Sequence, residues 1–388
     1  MSRRFPVHDA ISGWWLAPDT PPPPVAAYAQ EILVMLVLDE ITGLPPEAML
    51  TASSTTTGLL ARVDSDGYAG LAGVPLTRFP ATSVVGAALQ LTLSGAGYVP
   101  RSVGSVLPAQ PGYPDAFFPA NLGTVTLHRA PVSLTGRVVD VTSAPLSAAA
   151  VTVDGIWPTL VSMQNAVPAA PNLIALLSPL YADRDATATV AAQALTAAAA
   201  TKTLLLPGNV GDNRLRLSDQ VGLAAGSIIG LDQADPQRGE YVSVASITQG
   251  GLTAAQPATA LLDYPLARPH AAGVAAIPMT LGASGTANAL SSAAQSGDVT
   301  LFPATMGGLN ASMSAVVIAG GGPAPAEYHA AGIYLASSDA NGHVVLSPLH
   351  RLAQLNLRVH HPSQATDLIS TVVLPFGAAM LTLDLAFP

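Results

Sequence analysis

Short apolar runs, each closed off by glycine or proline within a few residues, recur along the whole chain and restrict it to strands joined by turns. Glycine and proline number 34 each in 388 residues, and many of them punctuate those runs. Residues 32–38 are apolar throughout and end in Asp39-Glu40-Ile41-Thr42-Gly43-Leu44-Pro45-Pro46, a turn by its composition. Residues 59–63 run into Asp64-Ser65-Asp66-Gly67-Tyr68, whose Asp-Gly step suits the positive φ of a hairpin. Near the other end, Leu381, Leu383, Leu385 and Phe387 alternate with Thr382, Asp384 and Ala386, a strict period of two. Helix-favouring residues are scarce, Lys202 being the only lysine. The expected fold class is all-β, with tandem β-sandwich modules followed by a duplicated small β-module.

Composition narrows the function. Hydrophobic residues make up 49% and charged residues 10%, enough to bury cores and too apolar for a disordered chain. Acidic residues number 24 against 15 basic ones, for a net charge of −9. No basic cluster exceeds Arg3-Arg4, so nucleic acid is not an expected partner, because phosphate binding needs a basic face. Cysteine is absent, which removes disulfides and thiolate metal sites. No apolar run reaches the roughly 20 residues of a membrane-spanning helix. The first residues lack the continuous apolar stretch of a Sec signal, so synthesis and assembly are expected in the cytoplasm, with release as part of a particle as one outcome.

Residues 1–28 read as an extended arm, because the run Pro21-Pro22-Pro23-Pro24 favours a polyproline conformation. Trp14 and Trp15 precede it and are the candidate partner-docking residues, since large aromatics dominate interface energetics. The alternative is that they cover the arm's own first domain. Residues 29–130 form the first sandwich. A second is expected at 131–205, with 365–388 as candidates to complete it. The turn after the apolar strand repeats in both: Asp39 and Asp140, then Thr42 and Thr142, then Pro45 and Pro145.

Several segments carry a resemblance to a known family. They are Gly136-Arg137-Val138-Val139-Asp140, Pro145-Leu146 and Ala150-Val151-Thr152-Val153 in the second unit, and Thr42-Gly43-Leu44-Pro45, residues 64–67 and Gly97-Tyr98 in the first. Together these resemble the carboxypeptidase regulatory-like family over residues 30–160. The resemblance implies a transthyretin-like β-sandwich with a spacer or interaction role and no active site. The pattern is lost after Trp157, and the Ala-rich residues 187–200 are expected as loop or short helix.

The C-terminal half repeats itself. Gly211-Asp212, Gly222-Leu223, Glu240-Tyr241 and Pro265-Leu266-Ala267-Arg268 recur in order as Gly297-Asp298, Gly308-Leu309, Glu327-Tyr328 and Pro348-Leu349-His350-Arg351. Four anchors in register indicate duplication, with one copy at 206–280 and the other at 290–362. The weak likeness of these copies is to β-modules of bacterial surface and phage-tail-like proteins. The repeat pair is also placed as a candidate insertion in the second sandwich.

Chemistry is sparse. His343, His350, His360 and His361 cluster in sequence without a zinc-ligand spacing, and adjacent strand histidines face opposite ways, so no metal is expected. The segments from Asp64 and from Asp339 open like calcium loops but lack the later ligands, and read as hairpin turns. No nucleophile elbow or phosphate loop is present, and Gly320-Gly321-Gly322-Pro323 reads as a plain loop. The pairs Glu240-Tyr241 and Glu327-Tyr328 suggest either a glycan site or, by their shared module position, a structural role with Tyr packed and Glu outward. No catalytic residue and no cofactor is expected. The expected function is a non-enzymatic structural or adaptor component of a multi-subunit particle, such as a phage-tail-like or contractile injection assembly. Its partners would be other protein subunits or further copies of itself. The alternative is a carbohydrate-binding or adhesive surface module.

Overall fold

The computed structural model describes residues 30–56, 59–73, 88–106, 120–233, 235, 238–249, 253–310, 313, 315–332 and 335–388. Trp14 and Trp15, with the expected arm, lie outside these residues. The chain divides into two compact units, Met1–Arg129 and Ala130–Pro388. Both are built of strands. Among the described residues the only helical element is a single 3-10 turn at Ser162–Gln164, and no helix is long and apolar enough to cross a membrane.

The N-terminal unit contains β1 (Gln30–Asp39), β2 (Leu50–Ser53), β3 (Leu59–Val63), β4 (Tyr68–Gly73), β5 (Ala88–Gly95), β6 (Arg101–Val106) and β7 (Ala120–Leu127). One sheet runs β3-β4-β1-β7 and the other β2-β5-β6. Strand β7 pairs parallel with β1, while β4 pairs antiparallel with it. Alternation fixes which face is inside: Leu89, Leu91 and Leu93 on β5 are buried while Ala88 and Gln90 are exposed.

The C-terminal unit opens with β8 (Val132–Val139) and β9 (Ala150–Trp157). It continues through β10 (Ile174–Leu176), β11 (Thr189–Ala197), β12 (Lys202–Thr203), β13 (Arg214–Leu217), β14 (Ile228–Leu231), β15 (Glu240–Gln249), β16 (Ala258–Leu262) and β17 (Ala275–Ser284). Then come β18 (Asn288–Ala289), β19 (Thr300–Leu301), β20 (Ala315–Ala319) and β21 (Glu327–Gly332). The last strands are β22 (Leu335–Ser337), β23 (His343–Leu349), β24 (Gln354–His360), β25 (Leu368–Val373) and β26 (Met380–Ala386).

The second sandwich is assembled from the two ends of this unit. Strand β8 lies between β23 and β26, and β9 lies between β22 and β24, with β25 at the edge. One core draws on both sheets: Leu134, Val138, Val344, Leu346 and Leu385 from the first, and Val151, Ile156, Leu355, Leu357, Val359 and Val372 from the second. The boundaries expected from sequence shift accordingly. Residues 174–205 do not belong to this sandwich, and 335–362 belong to it rather than to the second repeat. The chain leaves the sandwich after β9 and re-enters it at β22.

The two sandwiches share their construction. Strand β26 runs parallel to β8 as β7 does to β1. Gly67 and Gly342 both adopt positive φ, and their carbonyls accept the N–H of Val37 and of Val138 at 2.7 and 2.8 Å. A Cβ at either glycine would meet the Val37 or Val138 carbonyl oxygen at 2.5 or 2.4 Å, so only glycine fits.

Between the sandwich halves lies a twelve-stranded sheet with the path β13-β16-β15-β14-β17-β11-β20-β21-β10-β19. Read from either end, this order matches itself. Strands β19, β10, β21, β20 and β11 take the places of β13, β16, β15, β14 and β17. The backbone bonds agree: Leu266 N–H donates to Asp212 and Leu180 N–H to Asp298, both at 2.8 Å, and each second pair is 86 residues from the first. Two matching cores result. One includes Leu204, Leu215, Ile229, Leu231 and Leu266, and the other Leu290, Leu301, Val316, Ile318 and Leu180.

The duplication is therefore shifted from where the sequence anchors place it. The partner of Pro265-Leu266 is Pro179-Leu180, not Pro348-Leu349. One module is contiguous (β12 to β17), and the other takes β10 and β11 from before it and β18 to β21 from after it. The Ala-rich segment, expected as loop or helix, is strand β11, held on both edges by β17 and β20. Pairing on two sides overrides its local preference.

Candidate functional site

A cluster of buried ionisable side chains lies where the two modules meet. It is built on the Glu-Tyr pairs that open β15 and β21. Glu240 accepts the backbone N–H of Ala267 at 3.1 Å, and Glu327 accepts the equivalent N–H of Tyr181 at 2.7 Å. Each carboxylate also meets a cation from the loop after Pro-Leu. His270 reaches Glu240 at 2.8 Å, and Arg184, its counterpart, reaches Glu327 at 2.8 Å. The expectation of outward-facing Glu is thus overturned: both are buried, because the turn supplies backbone donors and a matching charge.

The two halves join. Tyr181 donates from its hydroxyl to Glu240 Oε2 at 3.2 Å, and Arg184 donates to the Tyr264 hydroxyl at 3.2 Å. The Tyr181 ring stacks on Tyr264 at 5.2 Å and on His329 at 5.4 Å. His329 bonds Glu327 at 3.0 Å through Nε2 and Ser178 at 2.9 Å through Nδ1. His270 holds Asp232 at 2.7 Å through its other nitrogen. Arg184 also donates to the carbonyls of Gly320, Ala324 and Pro325, which gives the glycine-rich loop a structural task.

Electrostatics follow from this packing. Burial alone would lower the His270 pKa, but its bonds to Glu240 and Asp232 raise it above the ordinary value. Burial alone would raise the Glu327 pKa, yet His329, the Tyr181 N–H and Arg184 hold it below the usual carboxylate range. Burial, with Glu240 alongside, raises that of Tyr181. The side chains of Arg184, Glu240, His270, Glu327 and His329 are all 0% exposed. An imidazole and a carboxylate in contact can move a proton, but nothing from solvent reaches these. What the arrangement does is fix two modules against each other with satisfied charges.

The other sequence candidates separate. Asp64 Oδ1 accepts the N–H groups of Asp66 and Tyr68, and Asp339 Oδ1 those of Asn341 and His343, so both are turn-closing carboxylates. His360 bonds Asp367 while His361 bonds Ser363 and the Ser147 carbonyl, so the adjacent histidines go to different partners. Among the described residues no group of three or more His, Asp or Glu could hold a metal ion. Tyr241 is buried beside Ile228 and Ala315, with Tyr328 partly buried against them, which leaves these tyrosines without the open face of a glycan platform.

Sequence reasoning missed the docking of Pro348-Leu349-His350-Arg351. This segment closes β23 and lies on the β19 end of the second module. Arg351 donates to Asp298 at 3.2 Å, to Ser292 Oγ at 3.0 Å and to the Ala293 carbonyl at 2.8 Å. Its guanidinium carbon sits 5.3 Å from the centre of the Phe302 ring. His350 Nε2 lies 3.5 Å from Asp298. Arg351 has φ 62°, a left-handed conformation that needs compensating contacts in a non-glycine residue. The third Pro-Leu repeat in the sequence was the available signal.

The chain matches no family model and no curated protein. Among solved structures it is similar to the crystal structure of the major pilin subunit of Bacillus cereus, at 8% identity over 91% of this chain and 98% of that one, with a TM-score of 0.17. A likeness at that score says nothing about fold or function.

Proposed function

We propose that this chain is a non-catalytic structural or adaptor subunit of a multi-subunit particle, of the phage-tail-like or contractile-injection kind. The observation that carries this reading is the sealed charge cluster around Glu240 and Glu327. Arg184, Glu240, His270, Glu327 and His329 are spent on locking β-modules together, with their side chains buried away from solvent. Exposed apolar side chains at loops, among them Met49 at 91% and Val167 at 78%, supply surface for contact with other subunits. Tandem sandwiches of shared construction suit repetitive packing. The test is sedimentation of cleared native lysate through a gradient. The protein is expected in a fast-moving particle visible by electron microscopy, and its recovery only as a free monomer at every growth stage would sink the reading.

A further inference from the structure

The two modules are matched strand for strand, yet among the described residues only one has its end face covered. In the second module, Ser292, Ala293, Asp298, Thr300 and Phe302 receive Arg351 and His350. Phe302 and Leu173 there also belong to the core of the second sandwich. The counterparts in the first module, 86 residues earlier, are Leu206, Pro207, Asp212, Arg214 and Arg216. These five line an open groove of about 450 Å³, together with Thr259, the counterpart of Leu173. The same architecture that takes a loop at one end of the sheet receives none at the other from the described residues.

The differences between the two ends say what would fill it. Where the covered end has Ser291, Ser292 and Ser296, the open end has Leu205, Leu206 and Val210. These are exposed at 41%, 61% and 63%, so apolar side chains stand in water where the other end has serines, of which Ser291 and Ser296 are exposed and Ser292, beside Arg351, is partly buried. Where the covered end has Thr300 and Phe302, the open end has Arg214 and Arg216. A cation placed as Arg351 is would lie against Arg216 instead of an aromatic face. Asp212 accepts the Asn209 N–H at 2.7 Å as Asp298 accepts that of Gln295 at 2.8 Å, and it adds the Asn209 side-chain amide at 3.3 Å, while Arg216 donates to Thr259 at 3.0 Å. Arg214 has no ion-pair partner among the described residues.

We propose that the groove beside β13 docks an acidic, apolar-flanked loop of another protein subunit, repeating in trans and with inverted charge what residues 348–351 do within the chain. This rests on the reading of the chain as an assembly subunit and names the surface and the partner chemistry. A second copy presenting its own 348–351 loop does not fit, since that loop is used in its own chain and carries the wrong charge.

The absence of cysteine makes a clean test possible. The full chain carrying Leu206→Cys is equilibrated with disulfide-forming peptides in graded reductant. One peptide is Cys-Gly-Pro-Leu-His-Glu-Leu, the second has Arg in place of Glu, and the third is a scramble of the first. The acidic peptide is expected to resist about five-fold more reductant than the other two, as two surface charge pairs allow. Adding Arg214→Glu, alone or with Arg216→Glu, is expected to abolish or reverse the preference. Equal capture of the acidic and Arg peptides, or of the acidic peptide and its scramble, would overturn the proposal. So would self-association of the unmodified chain that Arg214→Glu abolishes, because the occupant would then be a second copy. Particle sedimentation stands apart: a chain found in particles without the peptide preference loses this inference alone, and a preference without particles loses the assembly reading.

Discussion

Leu195 pairs with Leu281 across the middle of the twelve-stranded sheet, and each is the other's counterpart in the duplication. The pseudo-twofold axis therefore passes between β11 and β17. Residues that meet near it come in equivalent pairs: Ile228 with Ala315, and Tyr241 with Tyr328. An internal axis of this kind means that the two modules bury against each other the faces that a symmetric dimer would use. The polar cluster at their junction, however, is not symmetric. His270 on one side answers Arg184 on the other.

Removing the Glu327 carboxylate leaves Arg184 buried without its counter-charge and strips the Tyr181 and Ala182 N–H groups of their acceptor. Glu327→Ala is expected to lower the stability of the C-terminal unit by about 3–5 kcal/mol, the range for a broken buried pair. The exposed pair of Arg358 with Asp154 is the contrast, and Asp154→Ala is expected to leave the unfolding midpoint unchanged within error. Urea unfolding followed by circular dichroism compares them, and equal effects would contradict the account of the buried cluster.

His270 gives the unit a pH dependence on the alkaline side. Its folded-state pKa is raised, so the protonated form is favoured by folding. The stabilisation is complete below the unfolded value of about 6.5 and is lost as pH rises through the folded-state pKa. Glu327 works in the other direction. Its folded pKa is lowered, so its contribution is present above about 4.5 and disappears as pH falls through the folded value. Thermal unfolding from pH 6 to 9 should show a decline that His270→Gln flattens. An identical profile in the variant would remove His270 as its source.

What was legible in the sequence was local. The Asp-Gly and Asn-Gly turns at 64–67 and 339–342 are closed by contacts within four residues, so their composition announces them. The alternation of Leu381, Leu383 and Leu385 likewise marks a strand without reference to anything distant. The buried state of Glu240 and Glu327 was not legible. Their cations stand 30 and 143 residues away, and no local pattern shows a carboxylate that its neutraliser is coming. Strand β11 reads as loop or helix for the same reason, since β17 and β20, which hold it, come much later in the chain. The repeat was visible, but its phase was not. Pro179-Leu180 lies before the first anchor counted, and the third Pro-Leu invited a wrong partner.

Two glycines of the C-terminal unit separate conformational strain from steric exclusion. Gly342 has φ 77° and would place a Cβ 2.4 Å from the Val138 carbonyl oxygen, while Gly377 has φ 73° with open space around it. Alanine at Gly377 is expected to cost about 1 kcal/mol from backbone strain alone. Alanine at Gly342 must also push β8 away from the turn, and is expected to lose at least about 2 kcal/mol more. Denaturant midpoints of the two variants measure the difference. Similar midpoints would mean that the approach of β8 to the turn is looser than the distance implies.

Arg351 is the last residue to test, because it ties the sandwich to the inserted sheet within one unit. Its three donors end on Asp298, Ser292 and the Ala293 carbonyl, and its charge lies over Phe302. Arg351→Met keeps the apolar stem and removes the donors, leaving Asp298 with one fewer partner. The expected result is faster amide hydrogen exchange confined to β19 and the loop at 291–299, with β8 and β24 unchanged. A cost of about 2–4 kcal/mol fits the loss of a charge-assisted contact at a buried carboxylate. The equivalent loop at 205–213 should exchange at the rate it shows in the parent chain, since no contact of Arg351 reaches it. Faster exchange in both loops would mean that Arg351 supports the whole sheet rather than one end of it.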